Sequence, residues 1–181
     1  MIFLSDFADQ AVVLPLATVV ALVLGVLGWW RGVLAWVGAI CGTLAVMLVL
    51  KLCCLAIAED FEFASAASPS GHVASACIVY GGLAVLLLRD VVPRIALGAI
   101  AVAIIVAMGY SRIELHAHDL AEVIVGGFVG AAGLCVLGVL AGPRPRIVGW
   151  PVLGAAVCTM LAFHGMHLPA EAAIRSAFTP K

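Results

Sequence analysis

The chain has 181 residues, of which 65% are hydrophobic and only 10% are charged, with a mean hydropathy of +1.25 and a net charge of -1. So few polar side chains cannot cover a soluble globule of this size, which excludes that class and indicates a protein with several membrane spans. A nucleic-acid binder is also excluded, because the chain has no basic patch and no interleaved aromatic surface that would follow a phosphate backbone.

Six apolar runs predict an all-α transmembrane bundle that crosses the membrane six times. Most of the runs are close to the roughly 20 residues that a bilayer span requires, and the third and fourth are short. The runs cover residues 11–28, 32–58, 72–88, 94–110, 118–141 and 148–164. The breaks between them contain the Gly, Pro and charged residues that commonly end apolar helices. We therefore expect a single integral membrane domain over residues 1–181.

Lys51 is the only charged residue inside the second predicted span, about two turns before its outer end. A charge at membrane depth is costly enough to mark a functional candidate. The alternative is that its side chain extends to the interface and serves as an anchor. Three other polar groups, which belong to the two polar strings described next, are predicted on the same face as Lys51. They favour a role for Lys51 in binding an anion.

The third run opens with the string Pro69-Ser70-Gly71-His72. A helix that begins here has the Ser70 hydroxyl and the backbone amides around Gly71 at its amino terminus, which favours a bound anion. The string therefore predicts a phosphate-binding turn, with His72 at the start of the span.

A second polar string, Ser111-Arg112-x5-His118-x3-Glu122, lies before and at the start of the fifth run. His118 and Glu122 are four residues apart, so we expect them to share one helical face, where the carboxylate accepts the imidazole N–H and determines which ring nitrogen is unprotonated. Arg112, expected in the preceding connection, offers a bidentate fork to phosphate oxygens.

The arginines predict the orientation of the chain. Five of them lie in connections on one predicted face: Arg31, Arg89, Arg94, Arg144 and Arg146. The positive-inside rule makes that face cytoplasmic, so the two polar strings face the periplasm or exterior and the membrane is the inner one. The amino terminus, with Asp6 and Asp9, is then outside, and the absence of Lys or Arg before the first span argues against a cleaved signal peptide.

These strings resemble the signature of the type 2 phosphatidic acid phosphatases, also called lipid phosphate phosphatases. That signature consists of Lys-x6-Arg-Pro, Pro-Ser-Gly-His and Ser-Arg-x5-His-x3-Asp, and the resemblance covers about residues 51–130. The second part is matched in full, and the third has Glu122 in place of Asp. After Lys51 the Arg-Pro is replaced by Ala58-Glu59, so one phosphate-binding arginine is absent.

The resemblance implies a two-step displacement that needs no metal or other cofactor. His118 attacks phosphorus to form a phosphohistidine while His72 protonates the departing oxygen, and His72 then activates water to release phosphate. Glu122 orients His118. The phosphate oxygens would be held by Lys51, Ser70, Gly71 and Arg112.

The implied substrate is a lipid phosphate or pyrophosphate, because a site at headgroup depth meets molecules that are anchored by their tails. Polyprenyl pyrophosphate, phosphatidic acid, phosphatidylglycerol phosphate and lipid A phosphate all remain open, as does phosphoryl transfer to an acceptor other than water. Membrane lipids are the other expected partners, and no nucleic acid is expected.

Two other interpretations stand beside the metal-independent phosphatase. One is a catalytically inactive scaffold, suggested by the absent arginine. The other is a metal-dependent hydrolase, because several potential zinc ligands fall on the predicted outer face. They are His116, His118, Asp119, Glu122, His164 and His167.

The last residues, 169–181, predict a short interfacial helix on the catalytic face. Pro169 suits a first helical turn, and the apolar residues after it fall on one side. Our hypothesis is that Arg175 partly replaces the missing motif arginine, and the alternative is a simple interface anchor.

Overall fold

A computed structural model of the chain describes residues 2–61 and 68–168, and these residues form helices and no strands. The α-helices in chain order are Ile2–Asp6 (α1), Gln10–Val26 (α2), Trp30–Phe61 (α3), Gly71–Ala76 (α4), Gly82–Leu88 (α5), Arg94–Glu114 (α6), Leu120–Leu140 (α7) and Gly149–Phe163 (α8). A π-helical turn, Cys77–Gly81, joins α4 and α5 into one span, and a 3₁₀ turn, Arg146–Val148, precedes α8.

Six segments of the described chain are long and apolar enough to cross a membrane, with α1 and α2 together forming the first. The prediction of an all-α, six-span bundle is therefore confirmed. The surface agrees with it, because many large apolar side chains point outward from the bundle, as expected for helices that face lipid tails rather than water. Examples are Leu22, Leu34, Val106, Phe128 and Leu161.

The predicted spans differ from the observed helices mainly at the ends. The second span, helix α3, continues to Phe61 rather than residue 58, and α6 continues to Glu114 rather than residue 110. Hydropathy detects only the apolar part of a helix, whereas the backbone keeps its internal hydrogen bonds into the polar interface. As a result, Ser111 and Arg112 lie in the last turn of α6, and their predicted place in a connection is wrong.

The main core lies where α2, α3, α5, α7 and α8 meet. Trp36 is its largest fully buried side chain, and the indole N–H donates to the Ala17 carbonyl at 2.9 Å, which satisfies its one polar group. Leu16, Leu86 and Leu137 are fully buried in the same cluster. This core holds the spans together along most of their length.

The connections that carry the arginines meet at one end of the bundle. Arg31 Nε donates to the Leu140 carbonyl at 2.8 Å, and Arg144 Nε lies 3.6 Å from Asp90 Oδ2. The five arginines therefore do share one end, as predicted, and the cytoplasmic assignment of that end stays a prediction. The start of α4, the end of α6 and the start of α7 lie at the opposite end, which we call the motif end.

Glycines in α7 allow this helix to approach the start of the third span closely. A Cβ atom on Gly126 would lie 2.4 Å from the Ser70 carbonyl oxygen, and one on Gly130 would lie 2.7 Å from the Cys77 Cβ. Only hydrogen atoms at these positions permit such contact. The close approach sets the position of the Pro69–His72 turn against the first turns of α7.

Candidate active site

The start of α7 is organised by reciprocal hydrogen bonds between Asp119 and Glu122. Asp119 is the N-cap, and its Oδ1 accepts from the Glu122 N–H at 2.8 Å, while Glu122 Oε2 accepts from the Asp119 N–H at 3.1 Å. This capping box satisfies amides at the helix start and folds the Glu122 carboxylate back over the helix end.

His118 precedes the N-cap, so the prediction that it shares a helical face with Glu122 is wrong. The expected contact nevertheless forms, because the capping box brings the carboxylate back to the imidazole. His118 Nδ1 and Glu122 Oε2 are 2.7 Å apart, and the two side chains are only 3% and 12% exposed. An ionised carboxylate only accepts hydrogen bonds, so the proton of the neutral ring lies on Nδ1.

The other ring nitrogen of His118 has a different environment. Nε2 is buried, and within residues 2–61 and 68–168 it has no hydrogen-bond partner. In the neutral tautomer that has its proton on Nδ1, Nε2 would carry an unshared electron pair, and this nitrogen lies in a site shielded from water. The arrangement therefore holds Nδ1 in a contact with Glu122, and Nε2 is the ring nitrogen that is able to react.

Glu122 also ties α7 to the Pro69–His72 turn. Its Oε1 accepts a hydrogen bond from the Ser68 N–H at 2.5 Å, and its backbone carbonyl accepts one from the Ser70 N–H at 3.1 Å. One residue thus contacts His118 through its carboxylate and the Pro69–His72 string through its backbone. The two polar strings, which are separated by 38 residues in sequence, form a single unit.

The Pro69–His72 turn has the features expected of an anion site. Ser70 is the N-cap of α4, and its hydroxyl is buried without a hydrogen-bond partner among the residues that the structure describes. A Cβ at Gly71 would lie 3.7 Å from Lys51 Cε and 4.0 Å from its Nζ. The lysine side chain thus lies over the turn, and its ammonium group adds positive charge to the helix amino terminus.

His72 and Arg112 lie at the same end of the bundle, on α4 and α6. His72 is the second residue of α4, and Arg112 lies in the last turn of α6, where its Nη1 donates to Ser5 Oγ at 2.8 Å. The helix segments that carry them pack together with α7 and the turn after α1 in one small buried cluster, Ala8, Val73, Ala76, Met108 and Val123.

All seven predicted site residues therefore lie at the motif end. Hydrogen bonds or close approach connect five of them, Lys51, Ser70, Gly71, His118 and Glu122. The remaining two, His72 and Arg112, are placed beside them by the packing of α4 and α6. The roles of these residues in catalysis stay predictions.

The candidate metal ligands do not assemble. His167 Nδ1 lies 3.5 Å from Asp9 Oδ2 and 3.8 Å from Asp6 Oδ1, and the His164 ring packs against two phenylalanines with centroids 4.5 Å away. In the described part of the chain, no group of three or more His, Cys, Asp or Glu residues is placed to hold a metal ion. The histidines on this face instead belong to separate local contacts.

Two further contacts of the site were not expected from the sequence. The Ser68 amide donates a hydrogen bond to the Glu122 carboxylate, and the Ser5 hydroxyl accepts one from Arg112. The Asp119-x-x-Glu122 spacing is a readable capping-box signal that accounts for the His118 contact. No local signal indicates Ser5, which is 107 residues from Arg112.

Two of the sequence-based proposals fall outside the described structure. The interfacial helix over residues 169–181 and the compensating role of Arg175 concern residues that lie beyond the described ranges. Ala58 and Glu59, which replace the Arg-Pro of the first motif, lie in the last turns of α3.

A comparison with protein families found a match to this chain. The family model of the PAP2 superfamily matches residues 50–146, which is more than half of the chain and includes Lys51 and both polar strings. No curated protein and no solved structure matches the chain significantly.

Proposed function

The chain belongs to the PAP2 superfamily, and from this premise and the geometry of the motif end we propose that it is a membrane phosphatase that hydrolyses a lipid phosphate or pyrophosphate. Family membership by itself supports phosphatase activity on lipid phosphates in general. The finer proposal concerns the phosphohistidine mechanism, the residues that carry it and the membrane face on which it operates.

The environment of His118 is the observation that carries the proposal. A nucleophilic imidazole needs one nitrogen that keeps its proton and another that presents an electron pair to phosphorus. The 2.7 Å contact between Nδ1 and Glu122 provides the first, and the buried Nε2 provides the second. The carboxylate also stabilises the positive charge that develops on the ring as the N–P bond forms.

In the proposed reaction, His118 Nε2 forms a bond to phosphorus while the bond to the leaving oxygen breaks. His72, at the start of α4, gives a proton to that oxygen, and it then takes a proton from the water that cleaves the N–P bond. The products are inorganic phosphate and the lipid with one phosphate fewer, which is the free alcohol from a lipid monophosphate and the monophosphate from a lipid pyrophosphate, and His118 is restored.

The charge of the transferring phosphoryl group spreads over its three equatorial oxygens, so stabilising them is the main task of the site. Lys51 and Arg112 supply positive charge, and the buried Ser70 hydroxyl and the Gly71 amide supply hydrogen bonds. A buried hydroxyl without a partner is costly, and a phosphate oxygen would satisfy it.

Our proposals for the substrate class and the membrane face are supported by the position of the site at one end of the bundle. In a membrane, the ends of the spans would meet lipid headgroups, and the five arginines at the end opposite the site favour a cytoplasmic location for that opposite end. We therefore propose a multi-pass protein of the inner membrane whose site faces the periplasm or exterior. Which lipid phosphate it takes is a question for a substrate panel.

The test is release of inorganic phosphate by the purified protein in detergent, with a panel of lipid phosphates and pyrophosphates. We expect turnover of at least one lipid, its loss in His118→Ala and its near loss in His72→Ala. His116→Asn is a suitable control, because His116 is exposed and has a φ of 51°, which asparagine tolerates. Folded protein without activity on any lipid would favour the inactive scaffold, and disappearance of lipid phosphate without phosphate release would indicate transfer to another acceptor.

A further inference from the structure

The side chain of Arg112 is held by a segment that lies outside the matched family region. Its Nη1 donates to the Ser5 hydroxyl at 2.8 Å, and Ser5 is only 7% exposed. The family match begins at residue 50, so α1 contributes a contact that the signature motifs do not contain.

The segment that carries Ser5 is itself anchored on the helices around the candidate site. The Tyr80 hydroxyl, in the π-helical turn of the third span, donates to the Phe7 carbonyl at 2.5 Å. The Phe3 and Phe7 rings both pack against the His164 ring, and Ala8 is fully buried between α4, α6 and α7. Ser5 is therefore held from both sides in sequence and is a firm partner for a guanidinium group.

The orientation of Arg112 has particular importance in this chain. A guanidinium group is planar, with five N–H donors in a fixed arrangement, so it binds phosphate well only when its plane points at the oxygens. Because Ala58-Glu59 stands where the signature has Arg-Pro, Arg112 is the one arginine left among the signature positions. A hydrogen bond that fixes one end of the group limits the directions in which the rest can point.

We propose that Ser5 is a positioning residue for the substrate phosphate, which acts by holding the Arg112 guanidinium in its binding orientation. This inference rests on the proposed function in assuming that Arg112 binds phosphate. It makes the amino-terminal segment a part of the active site and not only a cover for the ends of the spans.

The test compares the full-length protein with Ser5→Ala and Ser5→Thr in detergent. Two quantities are measured: kcat/KM for the best lipid phosphate and the binding constant for inorganic phosphate. Because hydrogen bonds to charged groups are strong, we expect Ser5→Ala to lower kcat/KM and weaken phosphate binding by about tenfold each. Ser5→Thr keeps the hydroxyl and should stay within about twofold of the parent protein.

A double-mutant cycle separates positioning from general packing. In an Arg112→Ala background the Ser5→Ala change should alter phosphate binding by less than about twofold, because its target is gone. Thr159→Val is a matched control: it removes a hydroxyl of similar burial, 6% exposed, that donates to the Ala155 carbonyl within α8. This variant should bind phosphate as the parent does.

The outcomes distinguish this inference from the proposed function. If the parent hydrolyses lipid phosphate and Ser5→Ala leaves both quantities unchanged, the positioning role is wrong. An equal loss from Ser5→Ala with and without Arg112 would also overturn it. If the parent hydrolyses no lipid but Ser5→Ala still weakens phosphate binding through Arg112, the proposed function fails and the positioning role stands. A parent that neither turns over nor binds phosphate would overturn both.

Discussion

Replacing Gly126 with alanine should impair the candidate active site without changing any of its side chains. Gly126 lies in α7, one turn after Glu122, and its Cα faces the backbone of the Pro69–His72 turn. The added methyl group would lie 2.4 Å from the Ser70 carbonyl oxygen, 3.3 Å from its carbonyl carbon and 3.4 Å from its nitrogen. These are all backbone atoms, so no side-chain rotation relieves the contact.

The size of the displacement follows from these distances. Ordinary van der Waals contact begins at 3.4 Å, so the turn and α7 must separate by about 1 Å. Ser70 cannot yield alone, because its N–H donates to the Glu122 carbonyl at 3.1 Å and its carbonyl accepts from the Ala74 N–H at 3.3 Å. The movement therefore shifts Ser70 and Gly71 away from His118. A misplacement of about 1 Å costs roughly 10²-fold in rate.

The assay is kcat/KM for the best lipid phosphate, measured beside thermal unfolding in the same detergent. We expect Gly126→Ala to lower kcat/KM about 10²-fold and to destabilise the protein by about 1–3 kcal/mol through overpacking. Gly138→Ala is the matched control, because it is the same substitution in the same helix and its Cβ would meet nothing within 4 Å. It should keep full activity and gain up to about 1 kcal/mol from better helix propensity.

Two results would refute this reasoning. Activity of Gly126→Ala within about twofold of the parent, with unchanged stability, would mean that α7 does not set the position of the turn. Equal losses in Gly126→Ala and Gly138→Ala would mean that the effect comes from alanine in α7 generally, and not from the contact with Ser70.

The remaining predictions concern the nucleophile, its carboxylate, the membrane face and metal dependence. Glu122→Asp should retain measurable turnover in phosphate-release assays, because it keeps a carboxylate near His118. Glu122→Ala removes that carboxylate and should lower turnover about 10²-fold or more. Equal losses in the two variants would show that Glu122 does not act by orienting His118. In a cysteine-free background, a cysteine at the exposed Ala117 should be labelled from outside the cell and one at Pro143 only after permeabilisation, and the reverse pattern would place the site in the cytoplasm. Phosphatase activity should survive excess EDTA and be inhibited competitively by vanadate. If EDTA instead removes the activity, zinc restores it and vanadate has no effect, His118 is a metal ligand and not the nucleophile.

The spans were predictable because a bilayer imposes a rule that can be read along one dimension. Each span must be apolar over about 20 residues and must satisfy its own backbone, so hydropathy alone locates the helices. The same rule fails at the ends, where α6 continues through Ser111 and Arg112 into the interface. Polar residues there do not end a helix whose hydrogen bonds continue.

The candidate site residues could be selected from the sequence for a related reason. Polar groups such as Lys51, His72 and His118 are conspicuous near the ends of apolar runs. Placing such a group at membrane depth costs free energy, so its presence there indicates a functional role. Their spacing was less informative about geometry. His118 contacts Glu122 from outside the helix, through a capping box, and not along a shared helical face.

The sequence by itself thus determined the class of the protein, its six spans and the set of polar residues proposed for its chemistry, because composition and hydropathy act locally. Only the tertiary structure decided which of these residues touch. Glu122 meets Ser68 and Ser70 because Gly126 lets two helices approach, and Arg112 meets Ser5 because α1 packs against α6. Such contacts join residues far apart in the chain, and they depend on how helix surfaces fit together, which no single run of residues specifies.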